Sequence, residues 1–311
     1  MKFIIVDEMH PSIVTMLEEI GVVPDYKPSV TRAELLQVVK DYEGLIVRSK
    51  VKIDKEVLDA APKLKVIARA GAGLDQIDLE EVERRKIKVV NAPEGNRDAV
   101  GEHAVGMLLA VMNKMQTADK EVRTGIWKRE KNRGYEVGGL TIGIIGYGNM
   151  GKAFAKRIKG FGCRVIAYDK YLTGYGDQYA EEVTLEGIFE HADVLSLHIP
   201  LTEESRGMVD QKFVENFKKS FWLINTARGE IVVPSALIEA LDSGKIKGAA
   251  LDVLENEKFD TLTAAQKVNL DNLVKRENVL FTPHVAGWTY ESLIKINEVL
   301  VEKLRESVAK I

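Results

Sequence analysis

Ten short apolar runs punctuate the chain: Lys2–Val6, Gly44–Val47, Lys65–Ala70, Lys88–Asn91, Thr141–Ile145, Arg164–Tyr168, Val194–His198, Phe221–Asn225, Gly248–Asp252 and Val279–Phe281. Segments with apolar residues at helical spacing separate them. Near-continuous apolarity marks strands covered on both faces, and their alternation with amphipathic helices predicts an α/β protein with parallel sheets. The first four runs lie ahead of Thr141 and the rest begin there, so the pattern predicts two doubly wound sheets rather than one of ten strands. A helix-compatible run from about Asp98 to Arg123 should carry the chain from the first domain to the second. The amphipathic stretch Ser292–Val308 has no place in the second sheet and is expected to return to the first. The expected domains are 1–95 with 288–311, and 96–287, with a cleft between them. Tyr171–Gln178 and Glu255–Asp260 read as loops.

Behind Thr141–Ile145 the chain turns through Gly146-Tyr147-Gly148-Asn149-Met150-Gly151 into a helix-like segment, and the next run ends on Asp169. A strand, this glycine spacing, a helix and an acid-tipped second strand together form the dinucleotide-binding corner of a Rossmann sheet. Gly146 supplies the tight turn, and Gly148 lets the backbone approach a pyrophosphate. Asn149 and Met150 open the helix whose N-terminus faces the phosphates, and Gly151 lets that helix lie close on the sheet. The same spacing also fits a strand-turn-helix corner whose glycines serve packing alone. Asp169 is placed to accept bonds from the adenine ribose hydroxyls. A 2′-phosphate about 4 Å away at an effective dielectric near 20 would cost roughly 4 kcal/mol, which favours NAD over NADP, although Lys170 next door could soften the penalty. Gly71-Ala72-Gly73 also follows an apolar run, but Gln76 stands where the third glycine belongs, so no phosphate cradle is expected there.

Composition narrows the classes. At 311 residues, 45% hydrophobic and 29% charged, the chain can build two buried cores. A net charge of −3 gives no general attraction to nucleic acid or anionic membranes. No run reaches the length of a membrane span, and Met1–Asp7 reads as a first strand rather than a leader. The lone Cys163 reads as core packing in a reducing cytoplasm. No metal site is expected.

Three segments end strands of the second domain with reactive side chains: Asn225-Thr226-Ala227-Arg228-Gly229, Asp252 through Glu257, and Thr282-Pro283-His284-Val285-Ala286-Gly287. Ligands of open parallel sheets bind beyond the carboxyl ends of the strands. A guanidinium suits a small carboxylate, an imidazole suits proton exchange with a hydroxyl that gains or loses a hydride, and a neighbouring carboxylate stabilises the imidazolium. These parts describe oxidation of a 2-hydroxy acid. Taken singly, Arg228 also fits a surface ion pair, Glu257 a solvated loop acid, and His284 a core histidine bonded to backbone. Of the other histidines, His10, His103 and His191 fit the catalytic place less well, and His198 ends a strand.

With Gly146–Gly151, Asp169, His198-Ile199-Pro200-Leu201-Thr202, Asn225–Gly229, Asp252 through Glu257 and Pro283-His284, the chain resembles the D-isomer-specific 2-hydroxyacid dehydrogenases over nearly its full length. The resemblance implies that Arg228 binds the substrate carboxylate and carbonyl, that Glu257 pairs with the histidine, and that His284 is the acid/base. It places Asp252 near the nicotinamide carboxamide and gives Ile199, Pro200, Thr226, Ala227 and Gly287 to the cofactor site. Val47-Arg48-Ser49, the stretch Arg69-Ala70-Gly71-Ala72-Gly73 and Trp127-Lys128-Arg129 are similar to segments of the D-3-phosphoglycerate dehydrogenases, which implies that Arg48, Ser49, Arg69, Ala72, Gly73 and Arg129 hold a phosphorylated substrate. These arginines also fit solvated loop edges. The expected reaction is D-3-phosphoglycerate to 3-phosphohydroxypyruvate, a reaction of serine biosynthesis. Glyoxylate, hydroxypyruvate, erythronate 4-phosphate or a lactate-like acid are alternatives, as is an NAD(H)-sensing role like that of the family's corepressors.

Trp288 departs from the phosphoglycerate branch, where small residues follow the histidine, and could narrow the pocket, stack on substrate or anchor the returning helix. The chain ends at Ile311, so serine control through a regulatory domain is not expected. The apolar set Val100, Ala104, Met107, Leu108, Val111 and Met115, in a region through which the family pairs its subunits, leads to the expectation of a homodimer.

Overall fold

The central strands take nearly the bounds that the apolar runs mark, and each is buried on both faces. The computed structural model describes residues 1–308. These form two units, Met1–Arg97 with Trp288 onward, and Asp98–Gly287. The first holds β1 (Lys2–Ile5), β2 (Val23–Tyr26), β3 (Gly44–Val47), β4 (Val66–Arg69) and β5 (Lys88–Asn91), all parallel in the order β2-β1-β3-β4-β5. Side chains alternate across this sheet. Ile4, Leu45 and Ile67 pack on one face, while Phe3, Ile5, Ile46 and Val66 meet Ile13, Leu17, Ile296 and Leu300 on the other. The helix Tyr290–Val308 lies in this unit beside the helix Ser12–Glu19. Asn297 of that helix donates to the His10 carbonyl and to Ser12 Oγ, both at 3.0 Å.

The second unit holds β6 (Thr141–Ile145), β7 (Arg164–Tyr168), β8 (Glu181–Glu182), β9 (Val194–Leu197), β10 (Phe221–Asn225), β11 (Ile246–Leu251) and β12 (Val279–Phe281). They lie parallel in the order β12-β11-β10-β9-β6-β7-β8. The order reverses between β6 and β9, which is the switch point where doubly wound sheets bind ligands.

Two strands lie outside the apolar runs. β2 (Val-Pro-Asp-Tyr) and β8 (Glu-Glu) are both sheet edges, covered on few sides, and carry no apolar signature.

The long run is also not one helix. It forms Pro93–Met112 and Met115–Arg123, divided at Lys114, whose φ of 52° is left-handed. The start at Pro93 follows from proline's fit to a first helical turn. Ala104, Met107, Leu108 and Val111 are spent on the second unit's own core, together with Phe154 and Ile144. That stripe is therefore internal and offers no face for association, whereas Met115, beyond the break, is exposed.

Candidate active site

β6 delivers Gly146 with φ 93°, a conformation that a side chain rarely adopts. A Cβ there would lie 2.5 Å from the His198 carbonyl oxygen and 2.8 Å from Ile199 Cγ2, so Ile199 covers the turn. A Cβ on Gly151 would lie 2.0 Å from the Gly146 oxygen, whereas one on Gly148 would meet nothing within 4 Å. The outer glycines therefore serve close packing and the middle one faces open space. The helix Asn149–Ile158, with Met150 in its first turn, begins on Gly148 without a side-chain cap. A ten-residue helix starting on an open glycine fits a pyrophosphate on its N-terminus.

Asp169 Oδ2 accepts from the Tyr147 amide at 2.8 Å, and Oδ1 accepts from the amides of Tyr171 and Leu172 at 2.9 and 3.2 Å. The carboxylate is thus fixed beside the glycine turn, and Oδ2 keeps a lone pair. Lys170 pairs with Glu204, which raises its pKa. Across the turn, Thr226 Oγ1 is buried with no hydrogen-bond partner among the described residues. A buried hydroxyl without a partner is costly unless a ligand completes it, so it fits a bound dinucleotide. Ala227 is buried, Ile199 and Gly287 are half-buried, and Pro200 is exposed.

The reactive side chains follow the ends of three neighbouring strands, β10, β11 and β12. Asn225, buried at the end of β10, folds the next corner: its amide donates to the Arg228 carbonyl at 2.9 Å and its oxygen accepts from the Ala227 amide at 3.0 Å. Arg228 Nη1 donates to the Ala227 carbonyl at 2.6 Å. A Cβ on Gly229 would lie 1.9 Å from the Leu254 carbonyl carbon, so only glycine lets the Arg228 corner rest on the Asp252–Glu257 loop. His284 Nδ1 lies 2.9 Å from both oxygens of Glu257, and both side chains are about half exposed. That contact puts the Nδ1 hydrogen on the carboxylate side and leaves Nε2 for proton exchange.

Asp252 does something that its expected place near a carboxamide does not require. Only 1% exposed, its Oδ1 accepts from Thr282 Oγ1 at 2.5 Å and the Val285 amide at 2.9 Å, and its Oδ2 from the Ala286 amide at 2.9 Å. Its carbonyl accepts from the His284 amide at 2.8 Å. These bonds surround His284, whose φ of 56° is left-handed.

Residues 105–286 match the family described as D-isomer specific 2-hydroxyacid dehydrogenase, NAD binding domain. The chain belongs to this family. It is 36% identical over 310 residues to a D-3-phosphoglycerate dehydrogenase of Archaeoglobus fulgidus, a match that covers 98% of this chain and 56% of that protein. It is 38% identical over 282 residues to a glyoxylate reductase of Thermococcus litoralis, covering 88% of this chain and 82% of that one. The chain thus spans little more than half the length of the phosphoglycerate dehydrogenase relatives it matches. The structure of the D-lactate dehydrogenase of Aquifex aeolicus with NAD and lactic acid superimposes with a TM-score of 0.84 at 26% identity, covering 100% of this chain and 96% of that one. The second unit is this dehydrogenase family's NAD-binding domain.

The first unit carries all but one of the remaining candidates. Arg48 follows β3, its backbone amide donates to Asp7 Oδ2 at 2.6 Å, and its guanidinium sits 4.0 Å from the centre of the Trp288 ring. Burial lowers the Arg48 pKa, opposed in part by the Asp7 charge. Ser49 beside it is exposed. Arg69 ends β4 with Nη1 donating to the Ala70 carbonyl at 3.0 Å, and the Ala72 carbonyl accepts from Asn91 at 2.7 Å, ahead of half-buried Gly73. Arg129 belongs to the second unit, on an exposed stretch with Trp127. Trp288 thus stacks on Arg48.

Two further histidines of the second unit lie at strand ends, His103 by β12 and His198 after β9. His103 lies against Thr282, a contact invisible in a helical run whose facing strand is unknown. His198 Nε2 lies 2.8 Å from Ser196 Oγ, and burial pulls its pKa down to about 3. A histidine held neutral in the fold leaves the extra proton to the unfolded chain, where its pKa is about 6.5. Its contribution is full above about pH 6.5 and is lost as pH falls toward about 3, at no more than about 1.4 kcal/mol per pH unit. Chemical unfolding across that window should give a shallower pH dependence for His198→Gln than for the parent, and parallel curves would contradict the assignment.

Proposed function

We propose that the chain is an NAD-dependent oxidoreductase that interconverts D-2-hydroxy acids and 2-keto acids, with Arg228, Glu257 and His284 as its catalytic residues. The observation that carries this reading is the 2.9 Å contact of His284 Nδ1 with Glu257 beyond the ends of β11 and β12, in the same parallel sheet whose β6 bears the dinucleotide turn. Bound NAD supplies the hydride acceptor. Arg228 offers a guanidinium to the substrate carboxylate, a geometry that a two-pronged donor suits. His284 Nε2 takes the hydroxyl proton as the alcohol is oxidised and returns it in the reverse direction. Glu257 stabilises the imidazolium that forms and holds the ring's orientation. Gly146, Gly148, Asn149, Met150, Gly151, Asp169, Ile199, Pro200, Thr226, Ala227, Asp252 and Gly287 serve the coenzyme, and the ribose contact of Asp169 disfavours a 2′-phosphate.

For the substrate we propose D-3-phosphoglycerate, oxidised to 3-phosphohydroxypyruvate in serine biosynthesis in the cytoplasm. Arg48, Ser49, Arg69, Ala72, Gly73 and Arg129 are the residues that would bind it, with the arginines for its phosphate. Similarity to phosphoglycerate dehydrogenases along 98% of the chain supports this choice. Similarity to a glyoxylate reductase at 38% identity, covering most of that protein, favours the smaller keto acid as the second reading. Exposed Met115, Val122, Ile126 and Trp127 support association into a homodimer through this stretch.

His284→Ala should reduce turnover on the order of a hundredfold with NADH affinity by fluorescence little changed. Full turnover in that variant would defeat the acid/base role, and a parent chain that binds NADH but converts no 2-keto acid would favour a sensing role. Trp288→Ala should raise KM for the phosphorylated substrate about threefold to thirtyfold, the range of one cation–π contact, while glyoxylate kinetics stay unchanged. Equal effects on both substrates would remove Arg48 from phosphate recognition.

A further inference from the structure

Behind the His284–Glu257 pair, the helix Pro93–Met112 presses His103 against the end of β12. His103 Nε2 lies 3.1 Å from Thr282 Oγ1, and Thr282 Oγ1 lies 2.5 Å from Asp252 Oδ1. A carboxylate has no hydrogen to give, so the Thr282 hydroxyl hydrogen goes to Asp252. The Thr282 oxygen can then only accept from the histidine, and the network places the His103 hydrogen on Nε2. The chain of contacts continues beyond Asp252 to the amides of Val285 and Ala286, and through the Asp252 carbonyl to the amide of His284.

We propose that His103 is a positioning residue for the acid/base. By donating to Thr282 it selects the hydroxyl rotamer that completes Asp252, and Asp252 in turn holds His284 in its left-handed backbone facing Glu257. The other neighbour of the hydroxyl is Met107 Sδ at 3.7 Å, a weak acceptor to which the hydroxyl is free to turn once the histidine donor is gone. His103 also lies 3.7 Å from Asp252 Oδ1, so it adds a donor dipole beside a carboxylate that is otherwise sealed from water. The inference rests on the dehydrogenase reading for its kinetic consequence and on the hydrogen bonds alone for its structural one.

The test uses His103→Leu, which fills the volume without a donor, and His103→Gln, whose amide carries N–H to nearly the place of Nε2. His103→Leu should lose at least tenfold in kcat with the NADH dissociation constant held within about twofold, and His103→Gln should recover to within about threefold of the parent. Thr282→Val should reproduce the loss, and the double variant with His103→Leu should be no slower than Thr282→Val alone, because both cut one chain. Parent-like kcat in His103→Leu, equal loss in the Leu and Gln variants, or multiplying losses in the double variant would each overturn the proposal. Should the parent convert no 2-hydroxy acid, the dehydrogenase reading falls by itself. The positioning role is then read from amide exchange at Val285 and Ala286, which should speed at least tenfold in His103→Leu and would overturn the role if unchanged.

Discussion

A single buried carboxylate, that of Asp252, constrains the candidate site. Burying a charge is costly unless it is fully hydrogen-bonded, and this one gathers the Thr282 hydroxyl and the amides of Val285 and Ala286. In return it fixes the segment that bears His284. A non-glycine residue in the left-handed region costs on the order of 1–2 kcal/mol, so that backbone persists only where its surroundings over-determine it. Here three successive amides, those of His284, Val285 and Ala286, all end on Asp252, and the imidazole is aimed at Glu257 as a consequence.

Sheet order brings these parts together. β10, β11 and β12 are parallel neighbours, so the Arg228 corner, the Asp252–Glu257 loop and the His284 segment leave the same carboxyl end of the sheet. The reversal between β6 and β9 opens the place where the glycine turn and Ile199 meet. Gly229 seals the arrangement by letting one loop rest on another's backbone. Chemistry that reads as scattered along more than a hundred residues is one side of one sheet.

Much of this was legible in the residues because two-sided burial leaves a strong mark. Runs such as Gly-Leu-Ile-Val at 44–47 and Phe-Trp-Leu-Ile-Asn at 221–225 admit little but a central strand. The edges β2 and β8 left no such mark, since a strand with an open side is free to be Val-Pro-Asp-Tyr or Glu-Glu. The break at Lys114 escaped because nothing in helical periodicity reports one left-handed residue. The glycine turn stood out by residue type and spacing, and the roles of Arg228, Glu257 and His284 were implied by the family resemblance of the segments that carry them. His103, Thr282 and the inward work of Asp252 did not stand out, because their roles arise from which helix face meets which strand end. The fate of the Val100–Val111 stripe was hidden for the same reason: an apolar face looks alike whether it covers its own sheet or a partner's.

The turnover and crystal structure of Asp252→Asn, compared with the parent, test the central claim most directly. The swap keeps volume but sets an amide N–H against the N–H of Ala286, leaving a buried donor without an acceptor at a cost of about 1–3 kcal/mol. The account predicts that His284 leaves its left-handed conformation, that its contact with Glu257 is lost, and that turnover of 2-keto acids falls at least tenfold in a chain that still folds. A variant in which His284 has moved while turnover stays at the parent's level would contradict it.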